Sequence, residues 1–355
     1  MKHLLIMAAG TGGHIFPGLA IADTMRARGW QVSWLGTQRG MESDIVPARG
    51  IAFDAIDFAG LRGKGLLHAL KGVVKMIAGL LRCGTIIRRR QPDVVLGMGG
   101  YVTVPGGLMA AVHGKPLALM NADAALLMSN KALLPFAKKI LFGFAAAGTS
   151  DTKSQITGNP VRKEIRGLPM PGQRYSNRTG PLNVLVIGGS LGARVLNDTV
   201  PAALAQIPAQ DRPRVVHQSG KQNIDALKKN YADAGVDAEV IDFIDDMATR
   251  YAQADLVICR AGAITVTELC AAGVASVLVP LVVSTTSHQK NNAQWMVSKD
   301  AAVHLPQQAL TATALAELLR DMTRERCLQL AEHAYQLGRR DANEAIAGVL
   351  EDLGK

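Results

Sequence analysis

The chain has 355 residues, of which 48% are hydrophobic and 19% are charged, so its composition is that of a globular protein and excludes a disordered one. The chain is longer than a single hydrophobic core usually accommodates, which favours two domains. The net charge of +10 suits an anionic membrane or nucleic acid. Because aromatic residues are not interleaved with the basic runs and zinc-finger spacing is missing, we expect no nucleic acid partner.

Apolar runs alternate with helical patterns along the first part of the chain. Strands are predicted at 4–8, 31–35, 93–98 and 115–120, and a helix at 16–28 ends before Gly29. A stretch with several prolines and glycines predicts a linker over 163–181. The alternation then resumes, with strands predicted at 183–187, 214–217, 238–243, 256–259 and 276–279, and a helical tail at 311–353. This β–α alternation predicts an α/β protein with two doubly wound parallel sheets.

The cellular compartment is also indicated by the sequence. Met1 leads almost directly into a predicted strand, so we expect no signal peptide. No uninterrupted apolar stretch reaches the ~18 residues of a membrane span. The four cysteines form no CxxC pair, which favours reduced, buried thiols. We therefore expect a cytoplasmic protein, soluble or peripheral to a membrane.

Two glycine-rich turns of the same kind occur about half a chain apart. The first is Gly10-Thr11-Gly12-Gly13-His14, and the second is Gly188-Gly189-Ser190-Leu191-Gly192. Each follows a predicted strand and precedes a helix, an order that suits a phosphate at the helix N-terminus. The first turn departs from GxGxxG, which argues against a dinucleotide. His14 either accepts a proton or only packs the turn, and the second turn either adds the Ser190 hydroxyl to a phosphate site or binds nothing.

Two further loops in the second half carry polar groups. In Arg260–Glu268 a loop of small residues precedes a helix, and the Glu268 carboxylate suits a ribose diol, although a helix-capping glutamate is an equally ordinary explanation. In Ser287–Ala293 several amide side chains suit the hydroxyls of a sugar, although a polar loop entering a helix explains them as well. The sequence contains no Asp-x-Asp clamp and no metal-ligand spacing of His or Cys, so we expect no metal and no cofactor.

A predicted helix over 66–90 combines an apolar side with many cations. Lys64, Lys71, Lys75 and Arg82 flank the apolar residues, and Arg88–Arg90 end the helix. A basic amphipathic helix is typical of a protein that lies on a membrane surface. A helix that covers a sheet would explain the apolar side but not the surplus of cations.

Together these motifs resemble the MurG family, N-acetylglucosaminyltransferases that complete lipid II for peptidoglycan. The resemblance covers essentially the whole chain. It depends on eight motifs in the family's order, at residues 8–14, 60–64, 97–101, 158–162, 188–190, 243–247, 265–268 and 288–293. It implies a GT-B fold, with two Rossmann-like domains and a cleft between them, in which 1–162 form the acceptor and membrane-facing domain, 182–335 the donor domain, and 336–355 a helix that returns to the first domain.

The resemblance also implies the reaction and its partners. N-acetylglucosamine would pass with inversion, and without a metal, from the substrate UDP-N-acetylglucosamine to the muramoyl C4 hydroxyl of lipid I. The enzyme would be peripheral to the cytoplasmic face of the bacterial inner membrane, where it meets the undecaprenyl-linked acceptor, an anionic lipid surface and possible cell-wall and division proteins.

Site residues follow by motif match. Ile244 would contact uracil through its backbone, Glu268 the ribose and Ser190 the diphosphate. The loop around His14 would face the acceptor. From its place in the first glycine turn, His14 is the first candidate for the base, with Asp123 in reserve. The residues expected to bind UDP-N-acetylglucosamine are Thr11, Gly12, Gly13, Asp123, Arg162, Ser190, Ile244, Ala263, Ile264, Thr265, Val266, Thr267, Glu268, Gln289 and Asn292.

The chain departs from the family pattern at two places. Where the family usually has His-Glu-Gln-Asn, this chain has Met120-Asn121-Ala122-Asp123, and Leu191 replaces the usual glutamine after Gly-Gly-Ser. The first departure keeps open a non-catalytic nucleotide-sugar-binding or membrane-scaffold protein of the same fold. A nucleotide-sugar epimerase of similar two-domain shape, which would react without an acceptor, is a third possibility.

Overall fold

The computed structural model describes residues 1–57, 66–144, 152–189, 191–281 and 288–355, with side chains of 66–75 excepted. The chain divides into two compact units. The first comprises Met1–Arg162 and Asp341–Lys355, and the second comprises Lys163–Arg340.

The described part of the first unit is built on a seven-stranded sheet whose neighbouring strands are all parallel, in the order β3-β2-β1-β4-β5-β6-β7. The interior strand β1 is buried along its whole length, as its run of apolar residues predicts. The strands are β1 His3–Ala8, β2 Gln31–Thr37, β3 Ala52–Ile56, β4 Val94–Gly99, β5 Leu117–Asn121, β6 Lys139–Phe142 and β7 Ser154–Ile156. The helices are α1 Gly12–Ala27, α2 Glu42–Ala48, α3 Leu66–Arg90, α4 Thr103–Val112, α5 Met128–Leu133 and, from the chain's end, α15 Ala342–Leu353.

The second unit repeats the plan with a parallel sheet in the order β10-β9-β8-β11-β12-β13. Its strands are β8 Asn183–Ile187, β9 Arg214–Gln218, β10 Glu239–Ile241, β11 Leu256–Cys259, β12 Ala275–Leu278 and β13 Val303–His304. Its helices are α6 Lys163–Arg166, α7 Pro171–Tyr175, α8 Arg194–Ala205, α9 Ile224–Ala234, α10 Met247–Gln253, α11 Ala263–Ala272, α12 His288–Val297, α13 Ala312–Asp321 and α14 Arg324–Leu337. The prediction of two Rossmann-like parallel sheets is confirmed.

The tail, predicted to be helical throughout 311–353, forms three helices with short breaks between them. Each of the first two begins at a threonine whose hydroxyl caps the helix: Thr311 Oγ1 accepts from the Ala314 N–H and Thr323 Oγ1 accepts from the Arg326 N–H. The third, α15, packs against α1 in the first unit, and Asn343 Oδ1 there accepts from the Val161 N–H at 3.0 Å.

The segment expected as the linker, 163–181, lies within the second unit and carries α6 and α7. Tyr175 is buried in the core of that unit, and its hydroxyl donates to the Asp255 carbonyl at 2.6 Å. The prolines and glycines in this segment therefore bound short helices that pack against the second core.

Candidate functional site

The first glycine turn is held in a conformation that only glycine adopts readily. Gly10 has φ +101°, and α1 begins two residues later, with Thr11 as its N-cap. The Thr11 carbonyl accepts from the His14 and Ile15 N–H groups, so the amides of the first turn lie at the positive end of the helix. This arrangement suits an anionic ligand group.

The Glu42 carboxylate, which was not predicted as a site residue, holds this turn by a hydrogen bond from its first glycine. Glu42, fully buried at the start of α2, accepts from the Gly10 N–H at 3.3 Å, the Thr37 N–H at 3.0 Å and the Thr37 hydroxyl at 2.6 Å. A β-carbon on Gly40 would lie 2.0 Å from this carboxylate, so a larger residue at position 40 would require the Glu42 side chain to shift. The local sequence carried no signal for this role of Glu42, because Gly10 lies 32 residues away in the chain.

His14 lies in the first turn of α1 and is partly buried. Its Nδ1 is 3.3 Å from the Ala9 carbonyl oxygen, and because a carbonyl only accepts, Nδ1 is assigned the hydrogen. Nε2 then carries the lone pair. Burial lowers the pKa of His14 below its usual 6.5, while the Ala9 carbonyl and the carboxylates of Asp123 and Glu42 oppose the shift. A neutral imidazole near pH 7 is able to accept a proton.

The end of β4 provides the surface against which this ring packs. Gly99 has φ +114° and Gly100 has φ +87°, both unfavourable for other residues. A β-carbon on Gly99 would lie 2.7 Å from His14 Nε2, and one on Gly100 would lie 2.3 Å from the Ala9 carbonyl oxygen. The predicted motif at 97–101 therefore contacts the first glycine turn directly.

Asn121, which stands where the family usually has a carboxylate, organises the loop after β5. Its Nδ2 donates to the Asp123 carbonyl at 2.8 Å and to the Ala125 carbonyl at 3.2 Å. Its Oδ1 accepts from the Leu127 N–H at 2.9 Å and from Asn130 Nδ2 at 3.2 Å. A carboxylate could not donate to the two carbonyls. The hydrogen bonds of Asn121 thus hold the loop closed. The carboxylate of Asp123 in this loop raises the pKa of His14 against the effect of burial.

In the second unit, the second glycine turn also follows a central strand. Gly189 has φ +86° and Gly192 has φ +76°, and the Gly192 N–H donates to the Gly189 carbonyl at 2.9 Å. A β-carbon on Gly192 would lie 1.9 Å from the Ser219 carbonyl oxygen, so the turn is packed tightly against the end of β9. Leu191 is 81% exposed, and Ser190 lies outside the described residues.

Helix α11 presents its N-terminus at the carboxyl end of β11. Ala263, Ile264 and Thr265 supply its first three amides, which have no partner within the helix. Val266 and Thr267 are buried behind them, and the Thr267 hydroxyl donates to the Ala263 carbonyl.

Glu268 lies further along α11, buried, with the Tyr251 hydroxyl donating to its Oε2 at 3.5 Å. A buried carboxylate beneath a helix N-terminus suits hydroxyl donors such as a diol.

The remaining predicted donor residues lie in three places. Ile244 is buried in the loop after β10. On α12, Gln289 Oε1 accepts from the Leu281 N–H at 2.8 Å, and the buried Asn292 donates to the Ala261 carbonyl at 3.1 Å. Arg162 belongs to the first unit, where its guanidinium lies 5.3 Å from the Phe16 ring centroid. The sugar contacts expected of Gln289 and Asn292 stay predictions.

Comparison with known proteins decides the family. Residues 4–142 match the model of the glycosyltransferase family 28 N-terminal domain, and residues 183–346 that of its C-terminal domain. A UDP-N-acetylglucosamine--N-acetylmuramyl-(pentapeptide) pyrophosphoryl-undecaprenol N-acetylglucosamine transferase from Janthinobacterium sp. (strain Marseille) is 65% identical over 100% of this chain and 99% of the relative. The crystal structure of Acinetobacter baumannii MurG aligns with a TM-score of 0.81 at 35% identity, over 99% of this chain and 100% of that one.

The chain belongs to the MurG family of glycosyltransferases. The family's GT-B fold extends to distant structures, such as Anabaena HepE in complex with UDP and glucose, which has 14% identity and a TM-score of 0.65 over 99% of this chain and 100% of that one. At that identity the likeness concerns the fold alone.

The structure describes the predicted basic helix α3 in part. Ile77 is 52% and Leu81 67% exposed, beside an exposed Arg82, while the opposite side of the helix is buried in the core. Arg89 and Arg90 both form ion pairs with the nearly buried Asp54. The surplus of cations predicted for this end of the helix is therefore smaller than the sequence suggested.

The other cations predicted to meet a membrane are Lys64, which lies outside the described residues, and Lys71 and Lys75, whose side chains are not described. Of the helices in the described ranges, none combines the length and apolar character that crossing a bilayer demands. In the same ranges, no three His, Cys, Asp or Glu side chains form a group suited to a metal ion.

Proposed function

We propose that this protein transfers N-acetylglucosamine from UDP-N-acetylglucosamine to the muramoyl C4 hydroxyl of lipid I, with inversion and without a metal cofactor, and so produces lipid II for peptidoglycan. The observation that carries the proposal is 65% identity along the whole chain to a transferase of that name. The two glycine turns and the N-terminus of α11 support it, because each presents backbone amides at the carboxyl end of a parallel strand.

The donor nucleotide is assigned to the second unit. Ile244 would meet uracil, Glu268 the ribose diol, and the second glycine turn with Ser190 the diphosphate. The amides of Ala263–Thr265 lie at a helix N-terminus, which stabilises charge that develops on the leaving UDP. Gln289 and Asn292 are proposed to bind the sugar. Arg162, Asp123 and the turn Thr11–Gly13, which belong to the first unit, are also proposed to bind the donor.

In the proposed reaction, the acceptor hydroxyl attacks the anomeric carbon as the bond to the diphosphate oxygen breaks. His14 Nε2 takes the hydroxyl proton, a role supported by the hydrogen assigned to Nδ1 and by the lowered pKa. Glu42 holds the turn that carries His14. The single displacement inverts the configuration of the sugar carbon.

The acceptor carries a lipid, so the enzyme is proposed to work at the cytoplasmic face of the inner membrane as a peripheral protein. Exposed Ile77 and Leu81 beside Arg82 on α3 support contact with an anionic lipid surface. Cell-wall and division proteins are further proposed partners.

The test is turnover of UDP-N-acetylglucosamine with a soluble lipid I analogue, followed by mass detection of the disaccharide product and of UDP. We expect product in the presence of EDTA, because no Asp-x-Asp clamp occurs in the sequence. Activity lost in EDTA and restored by magnesium would overturn metal independence. Binding of UDP without product would favour the non-catalytic alternative, and conversion of the donor without acceptor would favour the epimerase.

A further inference from the structure

One buried amide connects two loops of the second unit. Gln218 is the last residue of β9, the strand between β8 and β10. Its Oε1 accepts from the Gly188 N–H at 3.2 Å. Its Nε2 donates to the Gly189 carbonyl at 3.0 Å and to the Asp242 carbonyl at 3.1 Å. The side chain is only 2% exposed, so these bonds form away from water. We name this set of three hydrogen bonds the Gln218 bridge.

The two bridged loops have different expected tasks. Gly188 and Gly189 open the second glycine turn, which suits a diphosphate. Asp242 stands two residues before Ile244, the expected uracil contact, and its own Oδ1 accepts from the Phe243 N–H at 2.8 Å. A nucleoside diphosphate would have to contact both loops at once, so the length of the ligand sets the distance required between the two loops.

We propose that Gln218 is a positioning residue for the nucleoside diphosphate, which holds the diphosphate loop and the nucleobase loop at the separation that the ligand needs. This inference rests on the proposed function, since it takes the donor to bind in the second unit. Preorganised loops spare the ligand the cost of ordering them. Gln218 touches no substrate in this scheme and acts through the backbone of the two loops.

The chemistry of the amide fits this task closely. The bridge needs one acceptor and two donors on a single side chain, which glutamine supplies and a carboxylate does not. The Gly220 N–H also donates to the Asp242 carbonyl at 3.1 Å, so the β9–β10 connection keeps an anchor when the bridge is removed. The Gln218→Met variant, which is similar in size and lacks the amide, should therefore fold.

A matched control lies one residue away. His217, also buried on β9, has its Nδ1 3.0 Å from the Tyr231 hydroxyl, within the core of the unit. Tyr231 lies on α9, so Tyr231→Phe removes one buried hydrogen bond to β9 and leaves both loops unchanged. It reports what a loss of stability alone does to ligand affinity.

The experiment measures inhibition of turnover by UDP and by uridine, together with KM, kcat and the melting temperature. Uridine carries the nucleobase and the ribose but no diphosphate, so it would engage the nucleobase loop and Glu268 without reaching the diphosphate loop. For Gln218→Met we expect UDP affinity to fall about tenfold and uridine affinity less than about threefold, on the scale of one to two net hydrogen bonds. KM for the donor should rise with kcat nearly unchanged. Gln218→Glu should behave like Gln218→Met, and Tyr231→Phe should alter neither affinity.

Equal losses for UDP and uridine, or no loss with a lowered melting temperature, would overturn the positioning role and leave Gln218 as a structural residue. Failure of the donor site itself is recognised separately through Glu268→Gln. If that variant leaves UDP affinity unchanged, the proposed donor site is wrong. If it weakens UDP binding while Gln218→Met leaves the UDP-to-uridine affinity ratio at the wild-type value, only the bridge is wrong.

Discussion

The His14 ring packs directly against the backbone of Gly99, since a β-carbon on Gly99 would lie 2.6 Å from the ring Cδ2 and 2.7 Å from Nε2. The ring is therefore fixed between the first glycine turn and the end of β4. Because Gly99 has no side chain, only its backbone lies beside His14 Nε2, and no β-carbon blocks that atom. A fixed, neutral imidazole is what a general base requires.

His14→Ala is expected to lower kcat by about 10²–10⁴-fold, the usual contribution of a general base. UDP affinity should stay near wild type, because the donor is assigned to the second unit. In the wild type, kcat/KM should fall with decreasing pH, with a midpoint below 6.5, because burial lowers the pKa of His14 and protonation removes the lone pair. Steady-state kinetics over pH 5–8 checks both expectations.

A drop in UDP affinity with kcat preserved would give His14 a binding role instead. Gly99→Ala supplies an independent check, because its β-carbon would displace the ring. Like His14→Ala, the Gly99→Ala variant should have a lower kcat and a UDP affinity near that of the wild type. A wild-type rate for Gly99→Ala would contradict the importance of the ring's position.

Asp123→Asn restores the residue usual in the family and tests whether this chain uses Asp123 as the base. We expect kcat to stay within about threefold of wild type, because loss of a base costs far more. The acidic limb of kcat/KM should move to lower pH, because the Asp123 carboxylate raises the pKa of His14 and the variant removes it. The exposed Asp44→Asn on α2 serves as a control and should leave the profile in place. A rate loss of a hundredfold would assign the base to Asp123.

Glu268→Gln is expected to weaken UDP binding by roughly 1.5–3 kcal/mol, the scale of hydrogen bonds to a charged group. The glutamine retains the volume of the buried side chain, so the fold should persist. Calorimetry with UDP measures the effect. Tyr251→Phe, which removes the donor at 3.5 Å from Glu268 Oε2, should change UDP affinity much less. Equal effects of the two variants would mean that Glu268 supports the helix and does not bind ribose.

The elements that the sequence predicted well are those whose signal is local. Strand β1 and the first glycine turn are an apolar run followed directly by glycines. Strands β3, β6, β7 and β13 were not predicted. β3, β7 and β13 are edge strands with few buried residues, and β6 has only four residues, so none of them gives a long apolar run.

The candidate site divides in the same way. His14 and Glu268 belong to motifs that are contiguous in the chain. Glu42 and Gln218 act on glycine turns about 30 residues away, at positions 10 and 188–189, through contacts that exist only once the strands pair. Asn121 looked like a lost carboxylate, and its four hydrogen bonds became visible only in the folded loop.

The membrane surface proposed on α3 is tested by reversing two of its charges. Lys71→Glu combined with Lys75→Glu should remove about 2 kcal/mol or more of binding to anionic vesicles, at about 1 kcal/mol per cation. Turnover of a soluble acceptor analogue should change little. Charge reversal at Lys228 and Lys299, which are exposed in the second unit, controls for net charge. Equal loss of vesicle binding in both double variants would show that only net charge matters.

The acid stability of the fold is expected to depend on His217. Burial lowers the pKa of this histidine to about 3, from an ordinary value of 6.5. Between these two values the unfolded chain binds a proton that the folded chain does not bind. The free energy of unfolding therefore falls as the pH is lowered, by up to about 1.4 kcal/mol per pH unit for this one group.

His217→Gln is expected to remove this contribution, because glutamine does not titrate. The loss of unfolding free energy between pH 7 and pH 5 should be smaller than in the wild type by about 2 kcal/mol, the linkage expected over the 1.5 units below pH 6.5. Urea unfolding at both pH values, followed by circular dichroism, measures the difference. Tyr231→Phe removes the hydrogen-bond partner and keeps the titrating ring, so it should lower stability at both pH values by a similar amount. An unchanged pH dependence in His217→Gln would mean that other groups control acid unfolding, because a buried neutral histidine must otherwise contribute this slope.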